Sequence, residues 1–370
     1  MTRHHIDIET LADFDHLVAH RETLSGVTMQ SIDLRARTAE LQRVSVLGAL
    51  FLGCELAPGV SADLQSRGAL VFPEIPAVPF DPYRTEPYSA AELYDAPTYA
   101  ASFDARVYAW SRSQQQSPSI IGSIATALHD HAITESLGEA LAAVPVRRRV
   151  GVMGGHGAVR GSDAYADAAH LGRGLARAGY TVFTGGGPGA MEAANLGAWL
   201  APHEDDALPQ ALEILATAPT FEPDINAWAN AAAAVRAQWP RTDDTVRSVG
   251  IPTWFYGHEP PNQFASVIAK YFANPLREAT LLERCQGGII YLAGAAGTVS
   301  EVFMDACENY YAASENTAPM VLVGREQWNS TLPAWPLLTA LAAGRDMQAH
   351  LQLVDSTDDA IAYLLGASHA

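Results

Sequence analysis

Residues 181–200 read TVFTGGGPGAMEAANLGAWL, and this stretch decides the fold class. Four residues typical of a buried strand precede a glycine-rich turn, and apolar residues then recur with helical spacing. Residues 147–180 have the same order, and there Ser162 is predicted to cap the helix and Gly179 to end it. Residues 287–313 repeat it a third time, as GGIIYLAG, AAGT and VSEVFMDACENYYAA. This alternation predicts an α/β fold, a doubly wound, mostly parallel sheet with helices on both faces.

Two regions of different composition are expected. Residues 146–370 carry the alternating pattern and are predicted to form a Rossmann-like domain, with a helical insertion at 203–247. Residues 1–145 are predicted to be an accessory α+β region with short strands at SGVTMQSIDL and SVLGALFLGCEL. From Gly68 to Pro97 prolines recur every few residues, which predicts an extended loop rather than a central strand or a helix. We identify no solenoid-type repeat in the sequence.

Composition narrows the class of protein. Of the 370 residues, 48% are hydrophobic and 17% charged, so the chain can bury a core and is not expected to be disordered. Its 23 basic and 41 acidic residues give a net charge of −18, which disfavours a DNA or RNA polymer as partner. The longest apolar run, VSVLGALFLGC, has about half of the ~20 residues that a membrane span requires. The N-terminus lacks the apolar stretch of a signal peptide, so we expect a cytoplasmic protein.

Three glycine-rich turns are the candidate binding elements. They are Gly154–Gly157, Gly185–Gly189 and Gly294–Thr298, and each follows a predicted strand and precedes a predicted helix. Backbone N–H groups at a helix start, together with the helix dipole, bind anions. One such turn also serves simple chain reversal, but three at the carboxyl ends of one sheet favour a phosphate ligand.

The turns do not match the dinucleotide or P-loop motifs. The run from Gly155 to Arg160 lacks the third glycine of G-x-G-x-x-G, and no Walker lysine follows any of the turns. The single lysine, Lys270, lies in residues 262–285, which are predicted to be helical, so a pyridoxal phosphate enzyme is also a poor fit. A mononucleotide or sugar phosphate fits the turns better. His156 in the first turn could reach such a ligand or simply face solvent.

TGGGPGAMEAANLGA and AGAAGTVSE resemble the two motifs of the LOG family, GGG-x-x-G-[LA]-M and P-G-G-x-G-T-x-x-E. This family consists of nucleoside 5′-monophosphate phosphoribohydrolases, often mislabelled lysine decarboxylases, and the resemblance covers roughly residues 147–325. It implies a catalytic role for Glu301, and for Arg277, which lies within one residue of the family's arginine. The resemblance and the turns together predict these substrate- and phosphate-binding residues: Gly154, Gly155, Gly185, Gly186, Gly187, Gly189, Met191, Gly294, Gly297 and Thr298.

Simpler roles remain open for both candidate catalytic residues. Glu301 could merely complement the dipole at the start of its helix. Arg277 could pair with Glu278 or Glu283 on a helix surface. Glu278 also stands where the family usually has lysine.

The second motif departs from the family pattern. Alanines at 293, 295 and 296 fall in its Pro-Gly-Gly-x core, of which Gly294 is kept. Alanine adopts positive φ only at a cost, so the backbone of this loop is expected to differ from the family's.

The leading functional hypothesis is hydrolysis of the N-glycosidic bond of a nucleoside 5′-monophosphate, purine or cytokinin-type, to free base and ribose 5-phosphate. The alternative is a non-catalytic nucleotide sensor or carrier on the same fold. The resemblance implies a homodimer and no cofactor. A metal is not expected, because His258–Glu259 lacks the second histidine of H-E-x-x-H, and His4 and His5 resemble a metal pair only in their spacing.

Overall fold

The computed structural model describes residues 6–255 and 259–367 of the chain. The histidines His4, His5 and His258, named above, therefore lie outside the described residues. None of the described helices is long and apolar enough to cross a membrane. The chain divides into two compact units, Met1–Glu86 with Arg112–Ser136 and Pro87–Ser111 with Leu137–Ala370.

The first unit contains a four-stranded parallel sheet whose strands pair in chain order, β1-β2-β3-β4. Helices alternate with these strands along the chain and all the strand pairs are parallel, so this region is α/β rather than the α+β region that the sequence predicted. Its core includes Phe14, Leu24, Met29 and Phe51, all with fully buried side chains. The elements are β1 Ile6–Ile8, α1 Leu11–His20, β2 Val27–Gln30, α2 Thr38–Arg43, β3 Leu50–Leu52, α3 Val60–Ser66 and β4 Leu70–Phe72.

The expectation that the chain holds no solenoid-type repeat is wrong for this unit. The pairing register places Gly26 beside Gly48 and Gly48 beside Gly68, joined by backbone hydrogen bonds of 3.1 and 3.0 Å. All three have positive φ, between 75° and 90°, at the turn that enters each strand. Each repeat thus adds one strand to the stack, with one or more helical segments before the next strand.

The proline-rich stretch is not wholly a loop. Its beginning forms β4, which is an edge strand of the first sheet, and an edge is where a neighbouring proline is tolerated. Near its end Ser89 accepts a hydrogen bond from the Glu92 amide and starts a single helical turn. The helices from here to the second sheet are α4 Ala90–Leu93, α5 Phe103–Gln116 and α6 Ile120–Ala140.

The second unit contains a seven-stranded parallel sheet in the order β11-β10-β9-β5-β6-β7-β8. The predicted α/β class, with a parallel sheet between helices, is confirmed. Its strands are β5 Arg149–Met153, β6 Thr181–Thr184, β7 Ser248–Gly250, β8 Val267–Ile268, β9 Ile289–Tyr291, β10 Met320–Val323 and β11 Leu351–Val354. Its helices are α7 Asp163–Arg177, α8 Ala190–Trp199, α9 Ala207–Ala216, α10 Ile225–Gln238, α11 Asn274–Glu283, α12 Ala296–Tyr311, α13 Ala334–Ala342 and α14 Thr357–Ala367.

The strand order reverses between β5 and β9. From β5 the chain adds β6, β7 and β8 on one side and then returns to add β9, β10 and β11 on the other. In open parallel sheets, ligands bind outside the carboxyl ends of the strands at such a reversal. The first and third glycine turns follow β5 and β9, so the topology brings both to this point.

Capping explains where α7 begins and ends. Ser162 accepts a hydrogen bond from the Tyr165 amide at 3.3 Å, and Gly179 follows the helix with a φ of +82°. Both predictions from the sequence are confirmed. The glycines Gly172 and Gly197 let α7 and α8 pack closely, because a Cβ on either would lie within about 2 Å of a carbonyl oxygen of the facing helix.

The helix predicted over residues 262–285 is shorter than expected. It begins only at Asn274, with Pro275 in its first turn, where the missing proline N–H is not needed. The preceding residues include β8, which pairs with β7. Lys270 therefore lies after a strand and not on a helix. Its ammonium is buried and contacts Asp104 Oδ1 at 2.5 Å.

Candidate functional site

A cleft of about 850 Å³ opens at the carboxyl ends of β5 and β9. The first and third glycine turns form two of its walls, and Met191 and Arg277 contribute side chains from α8 and α11. The structure brings eight of the twelve predicted site residues to this cleft: Gly154, Gly155, Met191, Arg277, Gly294, Gly297, Thr298 and Glu301.

The first and third turns are in direct contact. The Gly155 amide donates to the Ala293 carbonyl at 3.1 Å. A Cβ on Gly155 would lie 3.2 Å from Gly294 Cα, and one on Gly294 would lie 2.1 Å from Thr298 Oγ1. The small size of these two glycines is therefore explained by packing within the protein, before any ligand is considered.

The second turn does not line the cleft but supports it. Asn262 donates its amide to Gly186 O at 2.8 Å and its side chain to Gly187 O at 3.2 Å, so protein groups occupy both carbonyls. A Cβ on Gly185 would lie 2.4 Å from Arg277 Nη2 and 2.7 Å from Met191 Sδ. The four glycines predicted here to bind phosphate thus do not line the cleft, and the absence of a side chain at Gly185 leaves room for Arg277.

Helix α12 begins one turn earlier than predicted and faces the cleft with its N-terminus. Its first intrahelical bond runs from the Val299 amide to Ala295 O, and no side chain of the described residues caps the start. The amides of Ala296, Gly297 and Thr298 precede that bond and have no helical partner. A Cβ on Gly297 would meet no atom within 4 Å, so the approach to these amides is open.

The alanines of the third turn do not strain its backbone. No residue from Ala293 to Gly297 has positive φ, and Ala295 itself is extended, with φ −115° and ψ −148°. The expectation that alanine would conflict with a left-handed conformation here does not apply to this loop. Helix α12 simply starts at Ala296, for which alanine is well suited.

Glu301 and Arg277 form the charged pair of the cleft. Arg277 Nη1 lies 3.3 Å from Glu301 Oε1, and both side chains are nearly buried. Arg277 also donates through Nε to Ile251 O at 2.7 Å and through Nη2 to Gly185 O at 3.4 Å. The guanidinium is therefore held at the carboxyl ends of β6 and β7. Its ion-pair partner is Glu301, rather than the surface glutamates of α11.

Burial raises the pKa of the Glu301 carboxyl above its ordinary value, because the charged form loses hydration. The positive charge of Arg277 opposes this shift, while the negative charge of Glu278 adds to it. Glu278 lines the same cleft. The cleft thus combines one permanent cation with two carboxylates, and the backbone N–H groups of α12 supply the rest of its attraction for anions.

His156 is exposed at a ridge between the cleft and a second cavity of about 440 Å³. Its Nδ1 lies 3.4 Å from Glu259 Oε1. Two aromatic residues form one wall of the second cavity, with ring centroids 6.4 Å apart. Phe221 lies between α9 and α10, and Trp228 lies on α10. The segment predicted as an insertion therefore contributes to a cavity that adjoins the cleft.

Sequence reasoning missed Arg160, Glu192 and Asn262, which are buried and fix the loops around the cleft. Asn195, the partner of Asn262 at 3.0 Å, was also missed. In the sequence, Glu192 and Asn195 resemble ordinary polar residues of helix α8. Among the described residues, no group of three or more His, Cys, Asp or Glu side chains is arranged to hold a metal ion.

Comparisons with known proteins find similarity over part of the chain. The SLOG cluster4 family matches residues 147–201, which hold the first two glycine turns. The molybdenum cofactor binding protein of the phototrophic bacterium Rippkaea orientalis is 17% identical over 59% of this chain and 96% of its own, with a TM-score of 0.36. The Moco carrier protein of Chlamydomonas reinhardtii is 18% identical over 59% and 98%, with a TM-score of 0.36. No curated protein matches the chain.

Proposed function

We propose that the chain hydrolyses a nucleoside 5′-monophosphate, purine or cytokinin-type, to the free base and ribose 5-phosphate. The observation that carries this proposal is the pairing of Glu301 with Arg277 at 3.3 Å, in a cleft bounded by the uncapped start of α12. A carboxylate beside an anion-binding helix start suits cleavage of a ribosyl phosphate, because the helix start can bind the phosphate while the carboxylate stabilises positive charge on the ribose.

The phosphate would bind at the start of α12. There the amides of Ala296, Gly297 and Thr298 supply donors without a helical partner, and the open space at Gly297 allows close approach. Long-range attraction cannot draw in the nucleotide, because the net charge is −18. Local donors must therefore supply the affinity.

The reaction breaks the bond between C1′ of the ribose and the base nitrogen. The electron pair of that bond leaves with the base, a water oxygen bonds to C1′, and the proton that water loses compensates the charge on the base. Positive charge develops on the ribose ring in the transition state, and the Glu301 carboxylate would stabilise it and orient the water. Arg277 would hold that carboxylate in place and keep it ionised.

The central experiment incubates the protein with a panel of nucleoside monophosphates and measures free base by chromatography. Glu301→Gln should lower kcat by about 10²–10⁴-fold, the range for loss of a positioned acid–base group. The matched control is Glu308→Gln, the same change two turns further along α12 and outside the cleft. Equal loss in both variants, or no base release by the unaltered protein, would reject the proposal.

The pH dependence offers a second readout. Because burial raises the pKa of Glu301, the ionised form is lost at a higher pH than for an exposed glutamate. Base release should therefore fall on acidification at a pH above the usual range for glutamate. The Glu308→Gln control should keep this profile.

One observation favours the second candidate, a nucleotide sensor or carrier without turnover. Three groups of Arg277 already bind protein acceptors, and Glu278 places a further negative charge in the cleft. Under this reading, calorimetry detects nucleotide binding while no monophosphate of the panel yields free base. Arg277→Gln would then weaken binding, whereas Glu301→Gln would strengthen it by removing a negative charge.

A further inference from the structure

A third concave surface, of about 330 Å³, lies at the edge of the seven-stranded sheet opposite to the cleft. Residues that precede four adjacent strands line it: Arg148 before β5, Gly287 before β9, Pro319 before β10 and His350 before β11. We call it the amino-edge cavity. The proposed reaction does not involve this part of the molecule.

Its lining differs in charge from that of three other cavities in the described part of the chain. Arg147, Arg148 and His350 contribute nitrogen donors, and no carboxylate side chain lines it. The hydroxyl of Thr317, which also lines it, donates to Ala313 O at 3.3 Å. Each of three other cavities includes at least two carboxylates: Glu278 and Glu301, Glu192 and Glu222, and Glu283, Asp305 and Glu308. In a chain with 41 acidic residues, a concave surface of this composition is suited to an anion.

Both guanidinium groups are positioned by uncharged partners. Arg147 donates to Gln286 O at 3.1 Å and to Glu315 O. Arg148 lies 5.0 Å from the centre of the Tyr180 ring and donates to Ala178 O at 3.5 Å. No carboxylate of the described chain forms an ion pair with either group, so their charges are oriented without being neutralised.

Ser314 also lines the cavity, and its hydroxyl donates to Asp346, so Ser314 is not counted among the donors available to a ligand. The remaining donors are two planar guanidinium forks and an imidazole. Guanidinium groups bind phosphate oxygens through paired, charge-assisted hydrogen bonds, so this donor set selects a phosphate group.

We propose that the amino-edge cavity binds a phosphate group, either as inorganic phosphate or as the phosphate of a small ester. This site is separate from the cleft and independent of the proposed hydrolysis. Occupancy would neutralise the repulsion between the two adjacent arginines.

The test is calorimetric titration of the full chain with inorganic phosphate and, separately, with ribose 5-phosphate. The test variant is the double substitution Arg147→Gln and Arg148→Gln. The control is Arg35→Gln with Arg37→Gln, which makes the same change in net charge in the first unit, where both arginines pair with carboxylates. The test variant should lose at least tenfold in affinity for one phosphate site, while the control should match the unaltered protein.

If the double variant folds poorly, Arg147→Gln alone keeps the contact between Arg148 and Tyr180 and should still weaken binding several-fold. In the part of the binding that the test variant loses, preference for ribose 5-phosphate would identify an ester as the ligand, and equal affinities would identify the phosphate ion. Binding that the test variant retains is assigned to the cleft, where ribose 5-phosphate is the proposed product. Unchanged affinity in both test variants, or no binding of either probe by the unaltered protein at millimolar concentration, would overturn the proposal. Neither result depends on base release.

Discussion

Arg160 and Glu192 form an ion pair that is almost completely buried. Arg160 Nη2 lies 2.5 Å from Glu192 Oε1, and the two side chains are 1% and 0% exposed. Arg160 also donates to the carbonyl of Trp228 at 2.9 Å, and its guanidinium lies 4.4 Å from the centre of that ring. The Tyr165 hydroxyl donates to Glu192 Oε2 at 2.9 Å. One arginine thus ties the end of the first turn to α8 and to α10.

Removing one partner of this pair should cost much more than removing both. Arg160→Met leaves the Glu192 carboxylate buried without its cation and should lower the free energy of unfolding by about 3–5 kcal/mol. The double variant Arg160→Met with Glu192→Leu should recover part of that loss, because no unpaired charge remains buried. Urea unfolding of the two variants measures the difference. If the double variant is the less stable of the two, burial of an unpaired charge is not the main cost.

Substitutions at two glycines of the third turn distinguish the effect of packing on stability from the effect of ligand access on binding. Gly297→Ala meets no protein atom within 4 Å and should leave stability unchanged or raise it by about 0.5–1 kcal/mol. The added methyl group narrows the approach to the α12 amides, so it should weaken nucleotide binding by about tenfold.

Gly294→Ala is the counterpart, because its Cβ would lie 2.1 Å from Thr298 Oγ1. It should destabilise the fold by about 1–3 kcal/mol through overpacking. Thermal unfolding and calorimetry on both variants test the pair. If Gly297→Ala leaves the nucleotide affinity unchanged, the phosphate does not bind at the start of α12.

The charge of Glu278 should limit nucleotide affinity. Glu278→Lys exchanges a negative for a positive charge on the cleft wall. It should strengthen binding of a nucleoside monophosphate by about tenfold at low salt, and the gain should shrink as salt screens the charge. It should also lower the pKa of Glu301, since Glu278 contributes to the raised value. Titration at two salt concentrations tests this, and a gain that salt does not reduce would exclude an electrostatic cause.

The sheet of the second unit was predictable because its strands are short apolar runs with glycine turns at their ends. Residues 262–273 were not, because a short apolar run has no period that separates a strand from a helix. The backbone of β8 is identified by its pairing with β7, for example Gly250 with Ile268, and this contact is between distant parts of the chain.

The repeat in the first unit was not predicted from the sequence, for another reason. Its equivalent core positions hold different apolar residues, Met29, Phe51 and Val71, so no motif recurs. The signal that was available is the spacing of Gly26, Gly48 and Gly68, because each needs a positive φ at the same point of its repeat. In the candidate site, Glu301 and Arg277 were predicted from the resemblance to the LOG motifs, whereas their contact could be seen only in the fold.

Asp305 makes the stability of the fold depend on pH. It lies one turn after Glu301 on α12, is 5% exposed and accepts the Tyr291 hydroxyl at 2.7 Å. Burial raises its pKa to about 7, the Tyr291 hydrogen bond opposes the shift, and the charge of Glu308 adds to it. Between about pH 4 and pH 7, Asp305 is therefore protonated in the folded chain but ionised in the unfolded chain.

Because the folded-state pKa is raised, this group lowers the free energy of unfolding as pH rises from about 4 to about 7, and the loss is complete above the folded pKa. Asp305→Asn keeps a side chain of the same size without the charge and should remove this dependence. The free energy of unfolding of Asp305→Asn minus that of the unaltered protein should be larger at pH 8 than at pH 5, by on the order of 2 kcal/mol. Urea unfolding at the two pH values, with Asp359→Asn on α14 as an exposed control, measures the change. If the difference between Asp305→Asn and the unaltered protein is the same at both pH values, Asp305 is ionised in the fold throughout that range.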